Sequence, residues 1–175
     1  MSDAGQADPI RLRRWTVTSG SNVNSRAAVV LTAGGHDWKA SAEGTGAVDA
    51  LLRAVNVALA EILGGDPLLL EFDVHSLGQG PAAEGRVTIR IAPPAAAIGG
   101  RAAGRFTGEV RSTNIIAASV EAYVVALNAL LGDDSWASAA ADAGARRGPA
   151  SRSVSATSAE LDDDPGPDTT AWFNR

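Results

Sequence analysis

The sequence predicts an α+β domain made of two strand-strand-strand-helix units, and three observations carry that prediction. Two amphipathic helical stretches of one design, AVDALLRAVNVALAEILG ending at Gly64 and STNIIAASVEAYVVALNALLG ending at Gly132, lie 68 residues apart, with AVNVAL in the first aligning with AYVVAL at 122–127 in the second. Each stretch follows a series of short segments in which apolar and polar residues alternate, the period of half-buried strands. Glycine-rich turns punctuate those segments, which suits hairpins rather than helical crossovers.

In the first unit the alternation begins at Ile10, with Trp15, Val17 and Ser19 on one side of a strand and Arg14, Thr16 and Thr18 on the other. SGSNVNS is turn-rich, and AAVVLTA follows as an apolar strand closed by Gly34-Gly35, a two-residue hairpin signal. HDWKASA returns as a third strand with His36, Trp38, Ala40 and Ala42 on one face. The loop Glu43-Gly44-Thr45-Gly46 leads into a helix whose stripe is Val48, Leu51, Leu52, Val55, Leu59 and Ile62, with Arg53, Asn56 and Glu61 on the wet side.

The second unit opens after Gly64-Gly65-Asp66-Pro67 with LLLEFDVHS, where Leu68, Leu70, Phe72 and Val74 alternate with Leu69, Glu71, Asp73 and His75. Gly78 to Gly85 is read as a loop, and RVTIRIA as a strand with Val87, Ile89 and Ile91 inward. PPAAAIGG reads as a flexible excursion before a weaker strand around Arg101 to Thr107. Ser112, Thr113 and Asn114 then offer cap oxygens to a helix whose stripe is Ile116, Val120, Tyr123, Leu127, Leu130 and Leu131, stopped by Gly132. The expected organisation is a domain at 10–132 flanked by disordered segments at 1–9 and 133–175, the latter rich in Ala, Ser, Asp, Gly and Pro.

With 175 residues and no cysteine, the chain has room for one domain and gives no sign of a disulfide framework, which favours the cytoplasm. Its first residues, MSDAGQADPIRLRR, lack an apolar leader core, and no apolar run reaches the roughly 18 residues of a membrane helix. A net charge of −5 argues against a general nucleic-acid binder, and Arg11, Arg13 and Arg14 read as a solvated strand edge. The two apolar helices and the sheet faces exceed what about 120 residues cover alone, so a homodimer is expected.

Gly44 and Gly46 flank a loop that feeds a helix N-terminus, where free amides and the helix dipole favour an anion; a tight turn needing positive φ explains the same glycines. A dinucleotide fingerprint fails because its third glycine is Asp49 here. His75 and His36 are the only histidines, without the carboxylate or cysteine spacing of a metal site, and no G-x-S-x-G elbow occurs.

From WTV at Trp15, through Gly44-Thr45-Gly46-Ala47-Val48-Asp49-Ala50-Leu51 and FDVHS at Phe72 to Ser76, to STNIIAASVEAYVVALNALL at Ser112 to Leu131, the chain resembles the C-terminal regulatory, dimer-forming domain of 2-isopropylmalate synthase and citramalate synthase. The resemblance implies a domain that follows a catalytic (β/α)8 barrel and binds an end-product amino acid at its dimer interface. No barrel or HxH-type metal motif is present, so the expectation is a non-catalytic, free-standing module with no cofactor and no metal, taking leucine first and isoleucine second. A separately encoded synthase barrel is the alternative partner, and a ligand-free dimerisation domain the third reading. By resemblance the ligand residues are Gly44, Gly46, Val48, Asp49, Phe72, Ser76 and Ala83. Two departures stand out: Gly80-Pro81-Ala82-Ala83-Glu84-Gly85 has alanine where the family's aspartate usually sits, and Asn114 stands where aspartate is favoured.

Overall fold

Alternating apolar side chains settle into two three-stranded antiparallel sheets in the computed structural model, which describes residues 8–94 and 104–133. The first sheet has the order β1-β2-β3, from β1 (Arg11–Thr18), β2 (Ser25–Ala33) and β3 (His36–Gly44). Helices α1 (Ala47–Ala58) and α2 (Ala60–Leu63) follow, and the second sheet, β4-β5-β6, is built from β4 (Leu68–Ser76), β5 (Gly85–Ala92) and β6 (Phe106–Ser112). The last element is α3 (Ile115–Leu131). This is the expected pair of strand-strand-strand-helix units in an α+β arrangement.

The two units match in detail. Residue 13 is skipped between Leu12↔Leu31 and Arg14↔Val30, and residue 70 is skipped between Leu69↔Ile91 and Glu71↔Arg90, so both first strands carry the same bulge. Beyond it Trp15↔Val29 corresponds to Phe72↔Ile89, and Val17↔Ala27 to Val74↔Val87. On the other side of each central strand, Val29↔Ala40 corresponds to Ile89↔Gly108. The central strands supply the inward apolar residues, Val29 and Leu31 in one sheet and Val87, Ile89 and Ile91 in the other. Helix α1 lies on β2 and β3, α3 lies on β5 and β6, and the helices also meet each other, so one core serves both units.

Several sequence expectations need correction. The helix through Ile62 is broken at Leu59, a buried residue outside helical geometry, into α1 and α2. Asn56 is half-buried rather than on the wet side: its Oδ1 accepts a hydrogen bond of 2.6 Å from the Tyr123 hydroxyl, tying α1 to α3. Gly132 ends α3 in right-handed geometry, so the stop does not use glycine's freedom, whereas Gly64 does at φ 66°. The weak strand around Arg101 to Thr107 runs instead from Phe106 to Ser112, with Phe106 and Val110 half-buried, Gly108 buried, and Thr107 and Glu109 exposed. Its pattern is blurred because the inward position between Phe106 and Val110 is a glycine. Pro93 and Pro94 are buried, Pro94 beside Gly65, while the rest of the anticipated excursion lies outside the described residues. So does the expected disorder at 1–9 and 133–175, apart from residues 8, 9 and 133. Gly34 and Gly35, at φ 56° and 78°, form the hairpin turn that the sequence predicts.

Helix α3 is buried over more of its circumference than its Leu and Val stripe suggests. Ala118, Ala122 and Ala126 line a second face, where a β-carbon at Gly108 would strike the Ala122 carbonyl oxygen and lie 2.7 Å from the Ala126 nitrogen. Small residues on both elements let helix and strand backbones approach closely. Two residues beyond Ala126 the Asn128 amide clamps the chain at Ile10, accepting from its N–H at 2.8 Å and donating to its carbonyl at 2.7 Å.

Candidate functional site

Gly44 closes β3 directly beneath the start of α1. A β-carbon there would lie 2.5 Å from the Ala50 nitrogen and 2.6 Å from Asp49 Oδ2, so close approach rather than positive φ accounts for this glycine. Gly46 is the N-cap of α1 with φ −150° and ψ 170°, ordinary extended backbone, and no side chain caps the helix at that position. A β-carbon at Gly46 would meet no atom within 4 Å, leaving open space over the helix end. The turn explanation based on positive φ therefore fails for both glycines.

The first hydrogen bond of α1 runs from the Ala50 N–H to the Gly46 carbonyl at 2.9 Å, so the amides of Ala47, Val48 and Asp49 precede any intrahelical acceptor. Asp49 turns back onto the loop: its Oδ2 accepts from the Thr45 N–H at 2.9 Å and its Oδ1 from Arg53 Nε at 2.9 Å. The Arg53 hydrogen bond, followed by those from Thr45 and the guanidinium charge, holds the Asp49 carboxyl below its ordinary pKa of 3.8 against partial burial. Val48 is half-buried and packs against the core. Four sequence-derived site residues, Gly44, Gly46, Val48 and Asp49, thus share the β3-α1 junction.

The other three lie in the second unit. Phe72 is on the helix-side face of β4 opposite Ile89, Ser76 ends β4 with its hydroxyl donating to the Gly78 carbonyl at 2.8 Å, and Ala83 is half-buried in the hairpin, its N–H donating to the Gly80 carbonyl at 3.1 Å. This hairpin runs into Gly85, over which Ile115 at the start of α3 packs closely. Ser76, paired to Gly85, therefore sits near the start of α3, whereas Phe72 pairs with Ile89, whose other neighbour Gly108 lies under the middle of that helix. Within one protomer the substantial contacts of β4 are with β5, and those of α1 are with β1, β2, β3, α2 and α3, so the two groups belong to different halves of the domain.

The two helix starts differ in a way that matters for ligands. Asn114 Oδ1 accepts from the Ala117 N–H at 3.1 Å, and the Asn114 N–H donates to Ser112 Oγ at 3.0 Å, so α3 is capped by its own chain. Asparagine does there what aspartate would do. Sequence reasoning missed Thr45 and Arg53, the partners of Asp49; their signal is their spacing, four residues to either side of it. It also missed Ser25, a buried hydroxyl opposite Gly44 that donates to Ser19 Oγ at 2.8 Å, hidden in the turn-rich SGSNVNS stretch. Among the described residues no three His, Cys, Asp or Glu side chains gather as a metal site would require.

Paired strand-strand-strand-helix units with a single core and two unlike helix starts define a duplicated α+β domain. The chain belongs to the family described as the LeuA allosteric (dimerisation) domain, which it matches over residues 2–131. It is 37% identical over 123 residues to a 2-isopropylmalate synthase of Prochlorococcus marinus, covering 69% of this chain and 20% of the relative. To a 2-isopropylmalate synthase of a Nostoc species it is 38% identical over 124 residues, covering 70% and 21%. A Methanoculleus marisnigri protein that bears the name (R)-citramalate synthase CimA is 33% identical over 125 residues, covering 71% and 23%. The chain spans about a fifth of the length of these curated relatives, and the matched domain is a regulatory one rather than a catalytic one.

Proposed function

We propose that this domain is a self-associating regulatory module that binds a branched-chain amino acid, leucine before isoleucine, in the service of leucine biosynthesis and without chemistry of its own. The observation that carries the reading is the start of α1. Its amides and dipole are arranged for a carboxylate, the space above Gly46 is open, and no side chain occupies the cap. An amino acid is a zwitterion, and the charged Asp49 beside those amides is suited to the ligand's ammonium group. Arg53 balances that carboxylate, so a ligand of zero net charge meets a junction that is itself near neutrality. Phe72 offers apolar surface to a branched side chain. A dimer provides the route by which Phe72, Ser76 and Ala83 of one protomer join Gly44, Gly46, Val48 and Asp49 of the other, since one protomer keeps them in separate halves.

A thermal-shift panel of leucine, isoleucine, valine and alanine tests this. Leucine at a hundredfold excess over its dissociation constant raises stability by about 2.7 kcal/mol, isoleucine raises it less, and alanine leaves it unchanged. Equal flat responses to all four favour a dimerisation domain without ligand. A second reading draws on the relatives being named synthases of which this chain spans only a fifth: the module works on a 2-isopropylmalate or citramalate synthase barrel encoded separately. Co-purification with such a barrel protein distinguishes it. Placement in the cytoplasm belongs to the same proposal; among the described residues no helix is long and apolar enough to cross a membrane.

A further inference from the structure

Internal duplication lets the charges on the outer faces of the two sheets be matched position by position. In the first unit Thr18 pairs with Arg26 and Arg26 with Glu43, and Arg26 Nε donates to Glu43 Oε1 at 2.8 Å. The equivalent row of the second unit is His75↔Arg86↔Arg111, so an arginine stands where the carboxylate partner would be. Like charges directly opposite each other across strands repel. Among the described residues nothing relieves this pair. Arg111 reaches Glu109 only at 3.6 Å, Glu71 is engaged by Arg90, and Asp73 and Glu84 make no ion pair. The Arg86 side chain, half-buried between its neighbours, has no hydrogen-bonded or ionic partner there. In a chain of formal charge −5, this end of the second sheet gathers positive charge.

We propose that the His75–Arg86–Arg111 row is the docking site of the chain's own acidic segment Glu160–Asp164, which lies outside the described residues. Its sequence ELDDD puts four carboxylates into five residues, and guanidinium groups bind carboxylates through paired, charge-assisted hydrogen bonds. The lengths agree as well. The row lies next to Gly85↔Ser112, at the end of the sheet where α3 starts. The described chain stops just past the other end of α3, 17 residues and about 26 Å away. Residues 134–159 join the two, and a coil of that length has a root-mean-square span of about 28 Å. A tether whose span matches the separation holds its end at about millimolar effective concentration, so charge pairing too weak to join separate molecules suffices. Across the strands the row measures about 10 Å, and an extended run of five residues about 13 Å.

The chain has no cysteine, so Ser158→Cys places a single nitroxide label beside the acidic run, and the amide NMR signals of the full chain report where it sits. The Arg86 and Arg111 amides lose at least half of their intensity, while those of Arg26 and Glu43, the equivalent row of the first sheet, keep theirs. The loss disappears at about 1 M salt, which screens charges beyond about 3 Å. It also disappears with Asp162→Asn/Asp163→Asn/Asp164→Asn, changes that leave the folded domain untouched, and with Arg86→Glu/Arg111→Glu. Adding Asp162→Lys/Asp163→Lys/Asp164→Lys to the latter restores it. No loss at any signal, as when Arg146, Arg147 and Arg152 take the carboxylates, overturns the docking. Equal loss over both sheets, or loss that survives neutralising the aspartates, overturns it too. In a mixture of isotope-labelled native chain with nitroxide-labelled chain the signals stay intact; loss there as large as within one chain puts the acidic run on a second copy and overturns docking within the chain.

Discussion

Replacing Gly108 with alanine adds one methyl group at the point where α3 lies closest to its sheet. The new carbon would strike the Ala122 carbonyl oxygen and lie 2.7 Å from the Ala126 nitrogen, and both obstacles are backbone atoms that cannot swing aside. Either the helix moves off β6 or the strand bends. Overpacking of this kind costs about 3 kcal/mol, and the reduced freedom of the unfolded alanine chain returns about 0.4–1 kcal/mol. The net loss of about 2–3 kcal/mol lowers the melting midpoint by about 10 °C. Gly20→Ala is the control: its β-carbon meets only Val23 Cγ2 at 3.5 Å, an ordinary contact, so its midpoint stays within about 2 °C. The equivalent position in the first unit already holds a methyl group, at Ala40. Calorimetry of the three proteins reads the effect, and a Gly108→Ala variant that melts with the native protein refutes the close approach of α3.

Three further outcomes are expected. Tyr123→Phe removes the hydroxyl that donates to Asn56 across the helix pair and costs about 1–2 kcal/mol in urea unfolding; in a double-mutant cycle Asn56→Ala then adds little, and full additivity would deny the bond. Asn128→Leu breaks both hydrogen bonds to Ile10 and speeds exchange of the Ile10 amide at least tenfold, whereas unchanged protection would show that the clamp holds nothing. Asp49 has its pKa lowered in the folded protein, so its contribution is present above 3.8, the unfolded value, and is lost as pH falls through the folded value. Its partial exposure limits that contribution to about 0.5 kcal/mol, and a carboxyl-carbon NMR titration giving 3.8 or higher would contradict the Arg53 and Thr45 bonds.

The duplication was legible because it is written twice in the helices, and because Val87, Ile89 and Ile91 keep strict alternation on β5; β2 is instead a continuous apolar run in which Val30 is buried along with Val29 and Leu31. Strand β6 was displaced because Gly108 replaces the side chain that alternation needs. The alanine face of α3 was missed because alanine contributes little to an apolar stripe, although its small size is what permits the close packing. The Gly44-Thr45-Gly46 loop was legible as a helix start, but the reason for each glycine was not: one is required by contact with Ala50 and Asp49, while the other faces open space. Asp49's double engagement depends on a side chain folding back over the loop to Thr45 while reaching Arg53, which the four-residue spacing allows without dictating. The unequal cover of β1 and β4 was invisible in sequence, since the two strands have similar patterns and differ in what packs over them.

Amino-acid binding at the α1 start is tested most directly by titration calorimetry of leucine into the native protein and into Gly46→Asp. The variant folds, because Gly46 has extended backbone that any residue adopts and aspartate is a favoured N-cap. Its carboxylate takes the amides and the space that a ligand carboxylate would use. The account predicts saturable leucine heat in the native protein and none in the variant. Equal heats in both would place the ligand elsewhere, and no heat in either would contradict amino-acid binding by this domain.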